Sequence, residues 1–375
     1  MIDLQDLSRT VSSVVADVIA PSAAAVDREA VYPRAGMEAL GRAGLLGLIS
    51  APEVGGKGGA LRAAAAAVEQ VGAACASTGM VLCMHYCGAA VLEQHGPRPL
   101  REAIAAGRHI TTLALSEVGS RSHFWAPVST ATEAKEGVLL DAEKSWSTSA
   151  GEADSYVWSS KPLAAQGLST LWLVPGKAEG LSFPARFDGM GLRGNSSGPI
   201  KAAGVLVPRD AMLGPDGGGF DIMMGNVLPY FNILAASCYL GVTDACVKAA
   251  TAHVAKTQLS HLSQSLADLP TIRASLARMR VKTDMARALL LDTLTAVETG
   301  RADAQLRVLE VKAAAGEVST EVTQLAMRVC GGAAFRKEVG VERNFRDAHA
   351  STVMSPTTDL LYDFIGKALA GLPLF

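Results

Sequence analysis

The chain has 375 residues, 49% of them hydrophobic and 19% charged, with a formal net charge of −2 at pH 7. That length can bury one large core or two to three packed domains. The near-neutral balance excludes a nucleic-acid or anionic-membrane surface as the main partner. Six cysteines, at 75, 83, 87, 238, 246 and 330, show no C-x-x-C or Cys/His ligand spacing, so buried reduced thiols are expected and a metal site is not.

Residues 1 to about 112 read as helices, with Ala, Leu, Val and Met at three- and four-residue spacing and Gly or Pro at the joints. The first twenty residues carry Asp3, Asp6, Arg9 and Asp17, an amphipathic pattern without the basic head and continuous apolar stretch of a secretory leader. Alanine runs such as 63–68 are too short to span a bilayer, so a cytoplasmic protein without a membrane segment is expected. Four glycines in positions 55–59 leave no helix propensity and make 50–59 a loop. Helices are then predicted over 61–74 and 77–95.

The pattern changes at about 113. Up to residue 213, short β-like runs (112–115, 137–141, 155–159, 169–174 and 200–207) alternate with turns at Gly119, Gly151, Pro175-Gly176 and Gly194. They fit a small antiparallel sheet or barrel. From residues 217–220 the helical period returns, predicting helices over about 221–256, 270–299, 303–329 and 357–370.

Four stretches in this order carry a resemblance. Residues 51–59 (A-P-E-V-G-G-K-G-G) look like a P-E-x-x-G-G-x-G loop, and 115–123 (L-S-E-V-G-S-R-S-H) like a T-E-P-x-x-G-S-D strand and turn. Residues 144–151 (K-S-W-S-T-S-A-G) look like K-x-W-I-T-[NS]-G, and 189–197, followed by 205–208 and 217–220, like the G-x-R-[GA]-[ST] turn, edge strand and bundle entry. Together they resemble the acyl-CoA dehydrogenase superfamily over essentially the whole chain. The fold this implies is α+β: an N-terminal α-helical domain (1–112), a middle β-barrel or sandwich domain (113–213) and a C-terminal four-helix bundle (214–375).

The resemblance implies an FAD enzyme that oxidises an acyl thioester carried on CoA or a carrier protein. It passes electrons to a protein partner or to oxygen and assembles as a homotetramer. Leu115, Ser116, Ser122, Trp146, Thr148 and Ser149 would hold the flavin, Trp146 against the ring, Thr148 at N5, Ser116 on the pyrimidine edge and Ser122 on the pyrophosphate. Arg328 and Gly332, in a stretch resembling Q-x-x-G-G, would reach the cofactor of a neighbouring subunit, and Thr357 would face the cofactor. Ser122, Tyr230 and Phe231 fall on the substrate side. Plain packing accounts stand beside these: a sandwich-core tryptophan for Trp146 and a solvated helix-end cation for Arg328.

Two departures stand out. Counted from Arg346-Asp347-Ala348, the family's Y-E-G-T turn falls on 354–357 (M-S-P-T), which puts Ser355 at the position of the catalytic glutamate. Relatives that place the base on the first bundle helix have a carboxylate where 226–232 here reads N-V-L-P-Y-F-N. An unaided hydroxyl is not a competent base. Ser355 also reads as a helix N-cap with Pro356 at the first position, and Asp359, the one carboxylate nearby in sequence, reads either as a substitute base or as a first-turn acid. Second, the adenosine-clamping arginine and F-G pair give way to 256–261 (K-T-Q-L-S-H). Flavin monooxygenases on the same scaffold carry H-D-P at the turn, which makes an oxygen-using enzyme the alternative, with an inactive acyl-binding subunit as a third reading. His85 and His123 lie nearest the flavin motifs; single histidines are usually packing residues.

Overall fold

The computed structural model describes residues 2–120 and 123–374. Helix α1 (Leu4–Val14) starts at Asp3, whose carboxylate caps the Gln5 N–H at 2.8 Å, and a π-turn (Val15–Ile19) leads into α2 (Ala20–Glu29). Then come α3 (Arg34–Arg42), α4 (Leu61–Ala74), α5 (Ala76–His95) and α6 (Arg98–Ala105). Helix α5 is buried on nearly every face, which explains its lack of a polar stripe.

Among the described residues eight strands follow: β1 (Thr111–Ala114), β2 (Thr130–Ala134), β3 (Gly137–Ser147), β4 (Ser155–Ser160), β5 (Thr170–Pro175), β6 (Leu181–Ser182), β7 (Gly198–Val207) and β8 (Met212–Leu213). They form two four-stranded sheets, ordered β1-β4-β5-β8 and β2-β3-β7-β6. The middle domain is a sandwich, one of the two forms expected, and only its purely antiparallel pairing is corrected. β1 runs parallel to β4, and the two sheets face each other across a shared core containing Val138, Leu140, Tyr156, Trp158, Trp172 and Val205.

The C-terminal part comprises α7 (Gly219–Ile222), a π-turn (Met223–Val227) and α8 (Leu228–Lys256), then a β9–β10 hairpin (Gln258–Leu259, Gln264–Ser265). It ends with α9 (Pro270–Thr299), α10 (Ala304–Cys330), α11 (Val341–Ala348), α12 (Ala350–Val353) and α13 (Thr358–Leu369). The single helix expected over about 221–256 is continuous over Gly219–Lys256, with its π-turn just before Pro229, which has no N–H to give to the preceding turn. Gly219–Lys256 and Leu4–Glu29 are long and apolar enough for a membrane span, but the former is mostly buried as the central core helix.

One core cluster joins α1–α5 to α8, α9, α10 and α13, so the two helical parts form one body. Helices α4 and α8 touch closely because Gly241 faces Glu69: a Cβ there would lie 2.1 Å from the Glu69 carbonyl oxygen. Where α11 meets the middle domain, Arg346 pairs with Asp27 of α2 (2.6 Å) and Glu342 (2.6 Å) and donates to the Met190 carbonyl (3.0 Å). Next to it the buried Asp347 accepts the Leu192 N–H at 2.6 Å. Glycine at 191 permits this approach, since a Cβ would sit 2.3 Å from the Arg346 carbonyl. The R-D pair thus ties α2, the 189–192 turn and α11 together.

Candidate active site

The strand-end motifs of the middle domain are brought together by one buried ion pair. Glu117, just beyond β1, meets Lys144 of β3 at 2.5 Å, and their side chains are 1% and 0% exposed. The carboxylate also accepts the Val128 N–H (2.6 Å), the Ser129 N–H (2.9 Å) and the Ser129 hydroxyl. Lys144 donates further to the Ser159 carbonyl (2.7 Å) and hydroxyl (2.9 Å), and its ammonium lies 5.0 Å from the Trp158 ring centroid. Burial pushes the Glu117 carboxyl up, but the charge and hydrogen bond of Lys144, with the Ser129 and Val128 donors, outweigh it and hold the group below its ordinary value. Burial pulls Lys144 down to about 8 against the attraction of Glu117. With the Ser145 N–H donating to the Ser116 carbonyl at 2.9 Å, the pair locks the Leu115–Glu117 segment beside the end of β3.

That end is irregular. The β3–β7 register shifts between Lys144 and Ser147, and Trp146 adopts φ 55°. The shift turns Trp146 out of the sandwich, where it is 73% exposed and meets the Phe187 ring edge-on, ring centroids 6.4 Å apart. Trp146 is therefore not the core aromatic of the plain packing account; Trp158 and Trp172 fill that role. Two residues on, Thr148 is buried with its hydroxyl 3.0 Å from that of Ser197, and its carbonyl accepts from the Thr112 hydroxyl at 3.0 Å. Ser149 is buried at φ 61°, its hydroxyl 3.1 Å from the phenol of Tyr32 in the α2–α3 connection. Arg34 anchors the same connection on Glu152 at 2.6 Å.

The structure brings Leu115, Ser116, Trp146, Thr148 and Ser149 into one frame. Leu115 is buried and Ser116 half-buried; Ser122 lies outside the described residues. A flavin needs a flat apolar surface with polar groups at its edge. An open indole beside hydroxyl-bearing, hydrogen-bonded strand ends meets that need. Arg328 and Gly332 are exposed at the far end of α10, beside the separate core of Cys246, Met279 and Val322 rather than against these motifs.

The second cluster lies between α5, α8, α10 and the segment before α13. Phe231 is buried, Tyr230 half-buried, and burial raises the Tyr230 hydroxyl above its ordinary value. Lys312 of α10 sits 5.7 Å from the Phe231 ring centroid and donates to the carbonyls of Met354 (3.0 Å) and Pro356 (2.7 Å). Tyr239 donates to the Met354 sulfur at 3.1 Å. Ser355 is half-buried between α12 and α13. The helix cap is not Ser355, as its sequence suggests, but Thr357, whose hydroxyl accepts the Leu360 N–H at 3.4 Å. The helix starts two residues later than the Ser-Pro pair implies, and Pro356 precedes the cap. Asp359 is exposed on the first turn of α13. Asn226, the first residue of the 226–232 stretch where some relatives carry a base, forms a reciprocal amide pair with Gln94, both contacts 3.0 Å.

Both flanking histidines resolve into ordinary roles. His85 is fully buried, its Nε2–H donating to the Leu46 carbonyl (3.0 Å) and its Nδ1 accepting the Thr111 N–H (3.3 Å), and burial pulls it down to about 4. His123 is exposed, packed edge-on to Trp125 with centroids 5.1 Å apart. Among the described residues no group of three metal-ligating side chains occurs.

A helical body carrying a two-sheet insert, with an open indole at a strand end, is the arrangement that the resemblance implies for a flavoprotein oxidoreductase of acyl-thioester type. The family models agree. The acyl-CoA dehydrogenase N-terminal domain matches residues 3–106, the middle domain 112–205 and the C-terminal domain 217–370. The chain is 29% identical over 350 residues to the mitochondrial short-chain specific acyl-CoA dehydrogenase of Homo sapiens, covering 91% of this chain and 83% of that protein. It is 26% identical over 358 residues to the glutaryl-CoA dehydrogenase of Desulfococcus multivorans, covering 92% and 91%. Among solved structures, butyryl-CoA dehydrogenase from Megasphaera elsdenii superposes with a TM-score of 0.91 at 22% identity over 99% of both chains. The FAD complex of PigA gives 0.90 at 18% identity, over 98% of this chain and 97% of that one. The chain belongs to the acyl-CoA dehydrogenase family, as its four motifs imply, and is an FAD-dependent oxidoreductase of that type acting on acyl thioesters.

Proposed function

We propose that this enzyme holds FAD on Trp146, with Ser116 and Thr148 at the ring edge, and binds an acyl thioester against Tyr230, Phe231 and the 354–357 turn without a carboxylate base there. The Glu117–Lys144 pair carries the reading, because it fixes both flavin motifs while leaving the indole open. Bound FAD would supply the two-electron redox chemistry. The protein's own residues would shield the ring face, hold its edge by hydrogen bonds and orient the thioester. Ser122 would serve the pyrophosphate, Leu115 and Ser149 would shape the strand end, and Arg328, Gly332 and Thr357 would complete the site in a homotetramer. The thiol carrier is CoA or a carrier protein, the oxidant of the reduced enzyme an electron-transferring flavoprotein or oxygen, and the location cytoplasmic.

Serine at 355, an exposed Asp359 and a 226–232 stretch of N-V-L-P-Y-F-N give neither expected base location a carboxylate among the described residues. This favours slow oxidation of saturated thioesters and supports the oxygen-using reading as the second one. The test is to purify the protein, record its spectrum and mix it anaerobically with saturated acyl-CoAs. A yellow protein of one flavin per chain that is bleached slowly supports the proposal. A colourless protein that takes up no FAD overturns it, and rapid bleaching overturns the claim of a missing base. Oxygenated product from pre-reduced enzyme in air would select the second reading. Light scattering should give a multiple of the 38.8 kDa chain mass; a monomer would remove Arg328 and Gly332 from the site.

A further inference from the structure

Helix α10 buries a lysine that the flavin frame does not use. Lys312 is 2% exposed, and among the described residues it has no carboxylate ion-pair partner, unlike the equally buried Lys144. An ammonium out of water is costly unless its donors are met. Those of Lys312 are met entirely by main chain: the carbonyls of Ser351 (3.4 Å), Met354 (3.0 Å) and Pro356 (2.7 Å). Three N–H donors meet three acceptors, and the last two bracket residue 355. Immediately after them comes Thr357, whose hydroxyl starts α13.

We propose that Lys312 is the positioning residue of the 354–357 turn, drawing the carbonyls on both sides of residue 355 onto α10 and so setting where Ser355 and Thr357 stand. The meaning of that turn rests on the flavoenzyme reading; the clamp itself does not. A neutral side chain at 312 would leave the two carbonyls facing apolar α8, and a carboxylate would repel them.

The clamp depends on charge. Among the described residues, Cys83 of α5 is the ionisable group whose charge bears on the amine; Phe231 and the Tyr239 phenol, which donates to the Met354 sulfur, face the region from α8, and the Ser319–Ser351 hydroxyl pair joins α10 to α12 beside the Ser351 carbonyl. Burial lowers Lys312 to about 7. A neutral amine keeps two N–H donors for three carbonyls, so the turn loosens as pH rises through neutrality. Asp347, raised by burial to about 6, binds the Leu192 N–H instead and titrates on the acid side of this step.

The test is hydrogen exchange by mass spectrometry on peptides covering 351–358 of the full-length flavin-loaded protein. It compares about pH 6.5 with about pH 8.5, after correction for intrinsic exchange, with α4 peptides as control. In the wild type, protection of this segment should fall about tenfold at the higher pH, the worth of one charge-assisted hydrogen bond. Lys312→Arg, charged at both values, should remove the pH step; Lys312→Met should leave the segment open at both. The flavin absorption band should respond in the same way when a saturated acyl-CoA is added: altered in Lys312→Met, unchanged in Lys312→Arg. A flat wild-type profile, a step that persists in Lys312→Arg, or wild-type protection in Lys312→Met would each overturn the proposal. If Lys312→Met fails to fold, the wild type and Lys312→Arg decide alone. A colourless protein would defeat the flavoenzyme reading yet leave the exchange result legible.

Discussion

Replacing Glu117 with Gln is the sharpest probe of the frame under the flavin. The substitution keeps an acceptor for the Val128, Ser129 or Lys144 donors but removes the one charge that, among the described residues, pairs with the Lys144 ammonium. With its partner in place, Lys144 already sits at about 8 instead of 10.5, a burden of about 3 kcal/mol at 1.36 kcal/mol per unit. Without it the amine loses its attraction and falls further. Removing one member of a buried pair costs about 3–5 kcal/mol, so a drop in Tm on the order of 10 °C is expected near pH 7. The sign with pH follows from proton counts. A lysine lowered in the folded state binds fewer protons there than in the unfolded chain, so stability rises with pH above the lowered value. In the variant that rise begins at lower pH, and its deficit should narrow from about pH 6 to about pH 9. Circular dichroism melts of the flavin-free chain at three pH values measure this. The double variant Glu117→Gln/Lys144→Met should recover much of the loss, because no charge is then buried alone. A Tm within about 1 °C of wild type, or a deficit that widens with pH, would refute the reasoning.

Trp146→Ala should leave the melting temperature of the flavin-free chain unchanged, because the side chain is 73% exposed, while weakening FAD binding on the order of a hundredfold by titration fluorimetry. Asp347→Asn keeps an acceptor for the Leu192 N–H and removes a carboxyl raised to about 6. The wild type loses about 3 kcal/mol through this group as pH rises from about 4 to about 6, so the variant should be the more stable above pH 6 and have a flatter Tm–pH curve. Ser355→Glu with Pro356→Gly should raise anaerobic flavin reduction by a saturated acyl-CoA by about 10²–10⁴-fold in stopped flow; no increase would show that residue 355 does not face the substrate.

The order of elements was legible because periodicity is local. Helices 61–74 and 270–299 are found where the alanine and leucine spacing puts them; β1, β4, β5 and β7 differ by a residue or two from the expected runs, while β3 continues past the expected end at 141 to Ser147. β2 escaped because T-A-T-E-A is an exposed edge strand with no apolar alternation. Ser355 looked like a cap because Ser-Pro is a common helix start, while the hydroxyl that caps belongs to Thr357. The site's supports are long-range and leave no local trace: Glu117 and Lys144 are 27 residues apart, Tyr32 and Ser149 117. Lys312 did leave one. Val308, Ala315 and Ser319 put it on the buried stripe of its helix, where a lysine needs an explanation.

The shared core of the two helical parts has a consequence for synthesis. Helix α5, apolar on nearly every side, is made well before its partner α8, and the whole sandwich lies between them in the chain. At about 5–20 residues per second the delay is on the order of ten seconds. Residues 111–213 have a core of their own and can close while α8 is still unmade. The nascent α4–α5 hairpin meanwhile waits with Ala64, Val68, Leu82 and Val91 uncovered, a surface that invites chaperone capture during translation.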